Sequence, residues 1–186
     1  MKEYRRAYPR FSLCGLNCGL CPRYHADGTS RCPGCGGKDF HLKHPTCAVI
    51  TCSQKHEGVE YCFQCSSYPC ARYQKPSPTD SFITYRHVLD DFGKAKSNGL
   101  SAYQHGLDEK VELLRFFIDE CNDGKRKNFF CIAVNLLRLE DVRAIATRIR
   151  QDEFLKELPL NEKSAVVITL LQEQAKKQDI TLALRK

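Results

Sequence analysis

Cys14-Gly-Leu-Asn-Cys18-Gly-Leu-Cys21-Pro22 opens a run of ten cysteines that ends at Cys70, and this run decides how the first part of the chain is read. It continues as Cys32-x2-Cys35, Cys47-x4-Cys52 and Cys62-x2-Cys65-x4-Cys70; only Cys121 and Cys131 lie elsewhere. A Cys-x2-Cys pair puts two sulfurs on one tight turn, from which both can reach a metal at about 2.3 Å. The glycines of CGLNCGLC and CPGCGG suit such turns and leave backbone amides free to face thiolates. The competing reading is a disulfide framework, which needs an oxidising compartment. The basic N-terminus, MKEYRRAYPRF, has no apolar stretch behind it and does not read as a secretory signal. Metal ligation, in the cytoplasm, is the expectation.

The same segment is poor in material for a core. From Cys14 to Cys70 its larger aliphatic and Phe side chains are Leu16, Leu20, Phe40, Leu42, Val49, Ile50, Val59 and Phe63, and neither helical nor strand periodicity stands out. So few groups cannot offset an ordering cost of about 1–2 kcal/mol per residue. Structural zinc supplies about 10–16 kcal/mol per site as folding free energy. The expected architecture is therefore a small metal-stabilised module, knuckle-like or ribbon-like, over residues 11–75, followed by a mainly helical domain over 81–186, α or α+β.

Zinc is the leading metal, because closed sets of four cysteines, or three and a histidine, are its usual structural choice. The alternative is one [4Fe–4S] cluster on Cys14, Cys18, Cys21 and a remote cysteine, which would make the protein a redox or electron-transfer carrier. Cys-x3-Cys-x2-Cys is also the spacing of radical S-adenosylmethionine enzymes, but no βα repeat follows it here. The candidate ligands are Cys14, Cys18, Cys21, Cys32, Cys35, Cys47, Cys52, Cys62, Cys65 and Cys70. His44 joins them because His44-x2-Cys47 copies the cysteine spacing, whereas His25 and His56 sit in polar loops. Two metals are expected; a third requires histidine ligands.

The residues that carry this pattern, CGLNCGLCPRY, CPGC, CAVITC and KHEGVEYCFQCSSYPCARY, resemble the cysteine-rich domain-of-unknown-function family 3795, over residues 11–75. GVEYCFQCSSYPC is the most specific part. His44 stands where the family pattern has a cysteine. The resemblance implies zinc binding and no established activity.

Beyond the polar link RYQKPSPTD at 72–80 the composition changes. Helices are expected from Ile83 to Lys96, from Asp108 through Cys121, from Glu140 past Ile149, and from Asn161 to Lys177. NDGKRKN is a turn. Phe129–Leu137 is a nearly continuous apolar run that periodicity leaves open between helix and buried strand, and Ile180-Thr-Leu-Ala-Leu alternates like an edge strand that could pair with it. Cys121 and Cys131 read as small buried hydrophobes.

The net charge of +7 is modest: residues 1–80 carry 11 basic and 6 acidic side chains, residues 81–186 carry 18 and 16. One arm interleaves Lys2, Arg5, Arg6 and Arg10 with Tyr4, Tyr8 and Phe11, a composition found in single-strand nucleic-acid binders, so nucleic acid is kept as an alternative partner beside an unidentified protein. No apolar run approaches the ~20 residues of a membrane span. There is no His-Glu-x-x-His, no nucleophile elbow, no phosphate-binding Gly-x4-Gly-Lys and no Gly-x-Gly-x-x-Gly. A nucleophilic thiol left over from the metal sites, with Cys70 near Arg72, is the only catalytic candidate, and a structural role outranks it. The sequence points to a binding module rather than an enzyme.

Overall fold

The computed structural model describes residues 4–44, 46–75 and 77–186. In chain order its helices are α1 (Phe40–Lys43), α2 (Ala48–Lys55), α3 (Ala71–Gln74), α4 (Val88–Ser97), α5 (Leu100–Glu120), α6 (Lys127–Leu136), α7 (Leu139–Gln151), α8 (Glu153–Glu157) and α9 (Leu160–Lys177), with short 3-10 turns at Cys18–Leu20, Gly28–Ser30 and Cys62–Gln64. The chain divides into two compact units, residues 1–107 with 185–186, and residues 108–184.

Among the described residues there is no strand, which removes both the ribbon and the α+β alternative. Phe129–Val134 belongs to α6, whose seven residues from Phe130 to Leu136 are all buried, so its apolar run is a helix covered on every side. Ile180–Leu184 is irregular. Asp179, at φ 55°, ends α9 with the Ile180 amide donating to the Ala175 carbonyl at 2.9 Å, a left-handed helix stop.

Two helix starts also differ from expectation. α4 begins at Val88 rather than Ile83, because Ile83 and Thr84 are buried in a loop held by Asp80, whose Oδ1 accepts the Tyr85 amide at 2.8 Å. α5 begins at Leu100 rather than Asp108; its first turns bury Leu107 and carry Tyr103 against Phe11. α7 and α9 fall where the periodicity puts them.

The first unit is built around Phe92 of α4. Its ring meets Phe11, Phe63, Tyr68 and Tyr73 at centroid distances of 5.8, 5.2, 5.8 and 5.7 Å. A second small core of Leu13, Phe40, Val49 and Ile50 lies beneath the cysteines. The cysteine-rich segment thus has packing that its composition does not suggest: it shares aromatic contacts with α4 and α5.

In the second unit Val111, Leu114, Phe117, Phe130, Val134, Val142, Val167 and Leu171 are fully or almost fully buried, and Phe117 stacks on Phe130 at 5.8 Å. Lys110 donates to the Asn135 and Leu137 carbonyls at 3.3 and 2.6 Å, answering the C-terminal end of α6. Cys121 and Cys131 are buried there, as expected of small hydrophobes.

Asp80 anchors the end of the chain to the first unit. Its side chain is fully buried and accepts from the Arg185 amide at 2.8 Å and from Arg185 Nη2 at 2.9 Å. Burial alone would raise its carboxyl, but the Arg185 and Tyr85 hydrogen bonds outweigh it and hold the pKa at about 2. A carboxyl lower in the folded than in the unfolded chain stabilises fully above its ordinary value of 3.8 and loses that contribution as pH falls towards 2. Asp80→Asn is expected to lower Tm by several degrees at neutral pH and to flatten the decline of stability across that acid window, read by thermal unfolding at stepped pH.

Candidate metal centre

Two of the Cys-x2-Cys pairs adopt the same turn. The Cys21 amide donates to the Cys18 carbonyl and the Cys65 amide to the Cys62 carbonyl, both at 3.1 Å, so each pair closes a 3-10 turn with its cysteines at the two ends. Each turn is tied from outside. Gly19 donates to the Arg10 carbonyl at 2.9 Å, while Asn17, just ahead of Cys18, donates to Asp91 at 2.9 Å and accepts from the Tyr103 hydroxyl at 2.8 Å. Gln64 Oε1 accepts the Tyr61 amide at 2.9 Å.

The third pair is docked by its backbone. The Cys32 amide donates to the Arg23 carbonyl, the Cys35 amide to the Pro9 carbonyl, and the Arg6 amide to the Gly36 carbonyl, each at 2.9 Å. Residues 6–9 therefore run alongside 34–36. Gly36, at φ 72°, allows this approach, since a Cβ there would stand 2.7 Å from Arg6 Cγ and 2.9 Å from its amide nitrogen. The described part of the N-terminal arm is built into the packing beside these turns: Arg6 and Phe11 are buried, and Lys2 lies outside the described residues.

These turns bring the cysteines into two groups. Burial pushes the Cys18 thiol well above its ordinary value, and the thiols of Cys35, Cys14, Cys21 and Cys32 push it further. Cys21 is raised by burial and by Cys32, against the amides of Arg23 and Tyr24, which face its sulfur. In the second group Cys62 is raised to about 11 by burial, opposed by the Tyr73 hydroxyl and reinforced by Cys14, Cys52 and Cys70. Cys52, Cys62, Cys65 and Cys70, with His56, line one cavity of about 40 Å³.

Cys14 and Cys47 remain. Cys14 Sγ lies 3.2 Å from Ser12 Oγ, feels Cys47, and in turn acts on Cys18 and Cys35 of one group and Cys62 of the other. Both pack on the core of Leu13, Phe40, Val49 and Ile50. His44 ends α1 and stacks on Phe40 at 4.6 Å, and His25 Nε2 contacts the Gly19 carbonyl at 2.7 Å. All twelve cysteines are free thiols, so no disulfide framework exists. Among the described residues no three His, Cys, Asp or Glu side chains already stand where they could hold a metal ion.

The donor chemistry nonetheless fits a thiophilic metal. Buried thiolates that raise one another are costly unless a cation joins them, and backbone amides aimed at sulfur favour the thiolate. Arg6, which the sequence offers only as one cation of a basic-aromatic arm, is buried beside these turns. The only hint was the tripeptide Cys35-Gly36-Gly37, whose paired glycines mark a close backbone approach without saying by what.

Residues 10–75 match the family model described as a protein of unknown function, DUF3795. No curated protein and no solved structure matches the chain. The DUF3795 match takes in all ten cysteines of the run and leaves Arg6, Phe92 and Tyr103 outside it.

Gly36→Ala is expected to destabilise the DUF3795 segment severely, because backbone atoms of Arg6 must move as well as the φ of residue 36. Gly58, at φ 66° with open space around it, is the control: Gly58→Ala should cost only the left-handed backbone penalty of about 1–2 kcal/mol. Urea unfolding of the two variants separates the cases.

Proposed function

We propose that this chain is a metal-binding protein with two structural zinc centres, one on Cys18, Cys21, Cys32 and Cys35 and the other on Cys52, Cys62, Cys65 and Cys70. The observation that carries the reading is the cavity of about 40 Å³ onto which all of the second four open, beside His56. A space of that size admits an ion or a water and excludes an organic substrate. Four thiolates with no open position suit structural zinc. The bound ion would supply folding free energy to loops that bury little apolar surface.

Thiolate donors also weaken zinc as a Lewis acid, so the arrangement favours a binding role over hydrolysis. The metal would keep the loops of residues 10–75 in a shape that a protein partner reads. Free thiols throughout suit a reducing compartment, the cytoplasm. Cys14 and Cys47 are the thiols left over by this assignment, and His44, stacked on Phe40, is left out of both centres.

Metal content of chain purified without oxygen or chelator tests the reading. The expected result is about two zinc per chain and no visible absorption. Cys32→Ser and Cys65→Ser should each lose about one ion and loosen the first unit, while Cys121→Ser, buried in the second unit, should keep both. Iron with a broad band near ~400 nm would replace this reading with a cluster carrier, and a chain that holds no metal would falsify it.

A further inference from the structure

We propose that Arg6 is the built-in counter-charge of an anionic metal–thiolate centre at Cys18, Cys21, Cys32 and Cys35, and that Cys35 is the ligand it holds. This rests on the reading of those cysteines as metal ligands. It adds a residue outside the DUF3795 match and makes the two centres chemically unlike.

The Arg6 side chain has no solvent exposure. Its Nη1 donates to the Phe11 carbonyl at 2.6 Å and its Nη2 to the Glu60 carbonyl at 2.9 Å, and its guanidinium carbon lies 4.5 Å from the centre of the Tyr61 ring. Carbonyls and a ring satisfy donors without neutralising a charge. Among the described residues the carboxylate paired with it, Glu60 at 3.0 Å, is 45% exposed, so water competes for it. Arg6 Nε has no hydrogen-bond partner although it is buried. A buried guanidinium with an idle donor is costly unless further negative charge lies against it.

Cys35 supplies that position. The Arg6 side chain lies against the residue that follows Cys35, where a Cβ on Gly36 would stand 2.7 Å from Arg6 Cγ, and its guanidinium is within hydrogen-bonding reach of the Cys35 sulfur. The contact is fixed by the backbone, through Cys35 to Pro9 and Arg6 to Gly36, and not by chance side-chain placement. Four thiolates around one divalent ion carry two negative charges in excess, which a buried cation compensates.

Among the described residues the second group shows no such buried cation. Its inward polar contact is the neutral Tyr73 hydroxyl on Cys62, and Arg72 on the cavity wall is solvent-exposed. A buried guanidinium beside the sulfur offsets the excess negative charge of the loaded site and makes that thiolate less open to protonation and to electrophiles, the steps by which a ligand is lost and the ion released. The first centre is therefore the retained one and the second the exchangeable one.

Cadmium-113 NMR of the full chain loaded with cadmium reads each centre separately. The wild-type chain should give two thiolate-range resonances. Arg6→Met should move one of them only, and chelator-driven release of that ion should become about 10- to 100-fold faster. Arg6→Lys keeps the charge and should fall between the two, whereas Glu60→Gln should leave both resonances in place. Two unmoved resonances in Arg6→Met, or a Glu60→Gln spectrum that reproduces the Arg6→Met shift, overturns the proposal. Should Arg6→Met not fold, Arg6→Lys decides: a single displaced resonance supports the contact, and unchanged resonances with unchanged release overturn it. A wild-type chain that takes up no cadmium overturns the metal reading itself, and the proposal with it; two ions with an unresponsive Arg6→Met overturn the proposal alone.

Discussion

The ring of Phe92 is the surface on which the cysteine-rich loops close. Phe11 reaches it from before the first knuckle, Phe63 from inside the Cys62–Cys65 turn, and Tyr68 and Tyr73 from either side of Cys70. Gly15 gives way to it, since a Cβ there would stand 2.8 Å from the Phe92 ring. Burying an aromatic ring stabilises by about 1.5–3 kcal/mol, and Phe92 gathers four aromatic neighbours from separated positions in the loops. The polar counterpart lies one residue earlier in α4, where Asp91 accepts from Asn17 and so fixes the entry to the Cys18 turn.

Two sources of order therefore meet in the first unit, and they act on different atoms. The aromatic cluster and the small core of Leu13, Phe40, Val49 and Ile50 place the backbone of the knuckles. They leave the thiols crowded, each raising its neighbours. Crowding of this kind is a cost that packing alone does not remove, because the same packing that orders the turns drives the sulfurs together. On the proposed reading a divalent ion would convert that repulsion into ligation, and the composition reads as metal-dependent even though the segment has a core of its own.

What the sequence makes legible follows from how local each signal is. The helices at Leu139–Gln151 and Leu160–Lys177 announce themselves by apolar spacing, and the knuckle turns by Cys-x2-Cys with glycine. Phe129–Leu137 does not announce its type, since a run buried on all sides has no periodic contrast to read. Ile180–Leu184 alternates as a strand does, but alternation forms a strand only where an edge is offered, and its supposed partner is spent in a helix. The start of α5 at Leu100 was hidden because Tyr103 faces Phe11, a contact made across more than ninety positions. Arg6 was the least legible of all. In sequence it is one cation among several in an arm; only its backbone pairing with Gly36 shows that it points inward.

The positions of Arg6, Phe92 and Tyr103 bear on what the working unit is. The matched segment ends at Cys70 plus a few residues and begins after Arg6. Yet the Cys32–Cys35 pair is docked on residues 6–9, the Cys18 turn is held through Asn17 by Asp91 and Tyr103, and both 3-10 turns lean on aromatic rings that Phe92 brings together. Each contact crosses a limit of the match. The cysteine turns therefore take their placement from flanking residues, and the compact unit that holds them runs to Leu107 and takes in Arg185 and Lys186, well beyond the limits of the match.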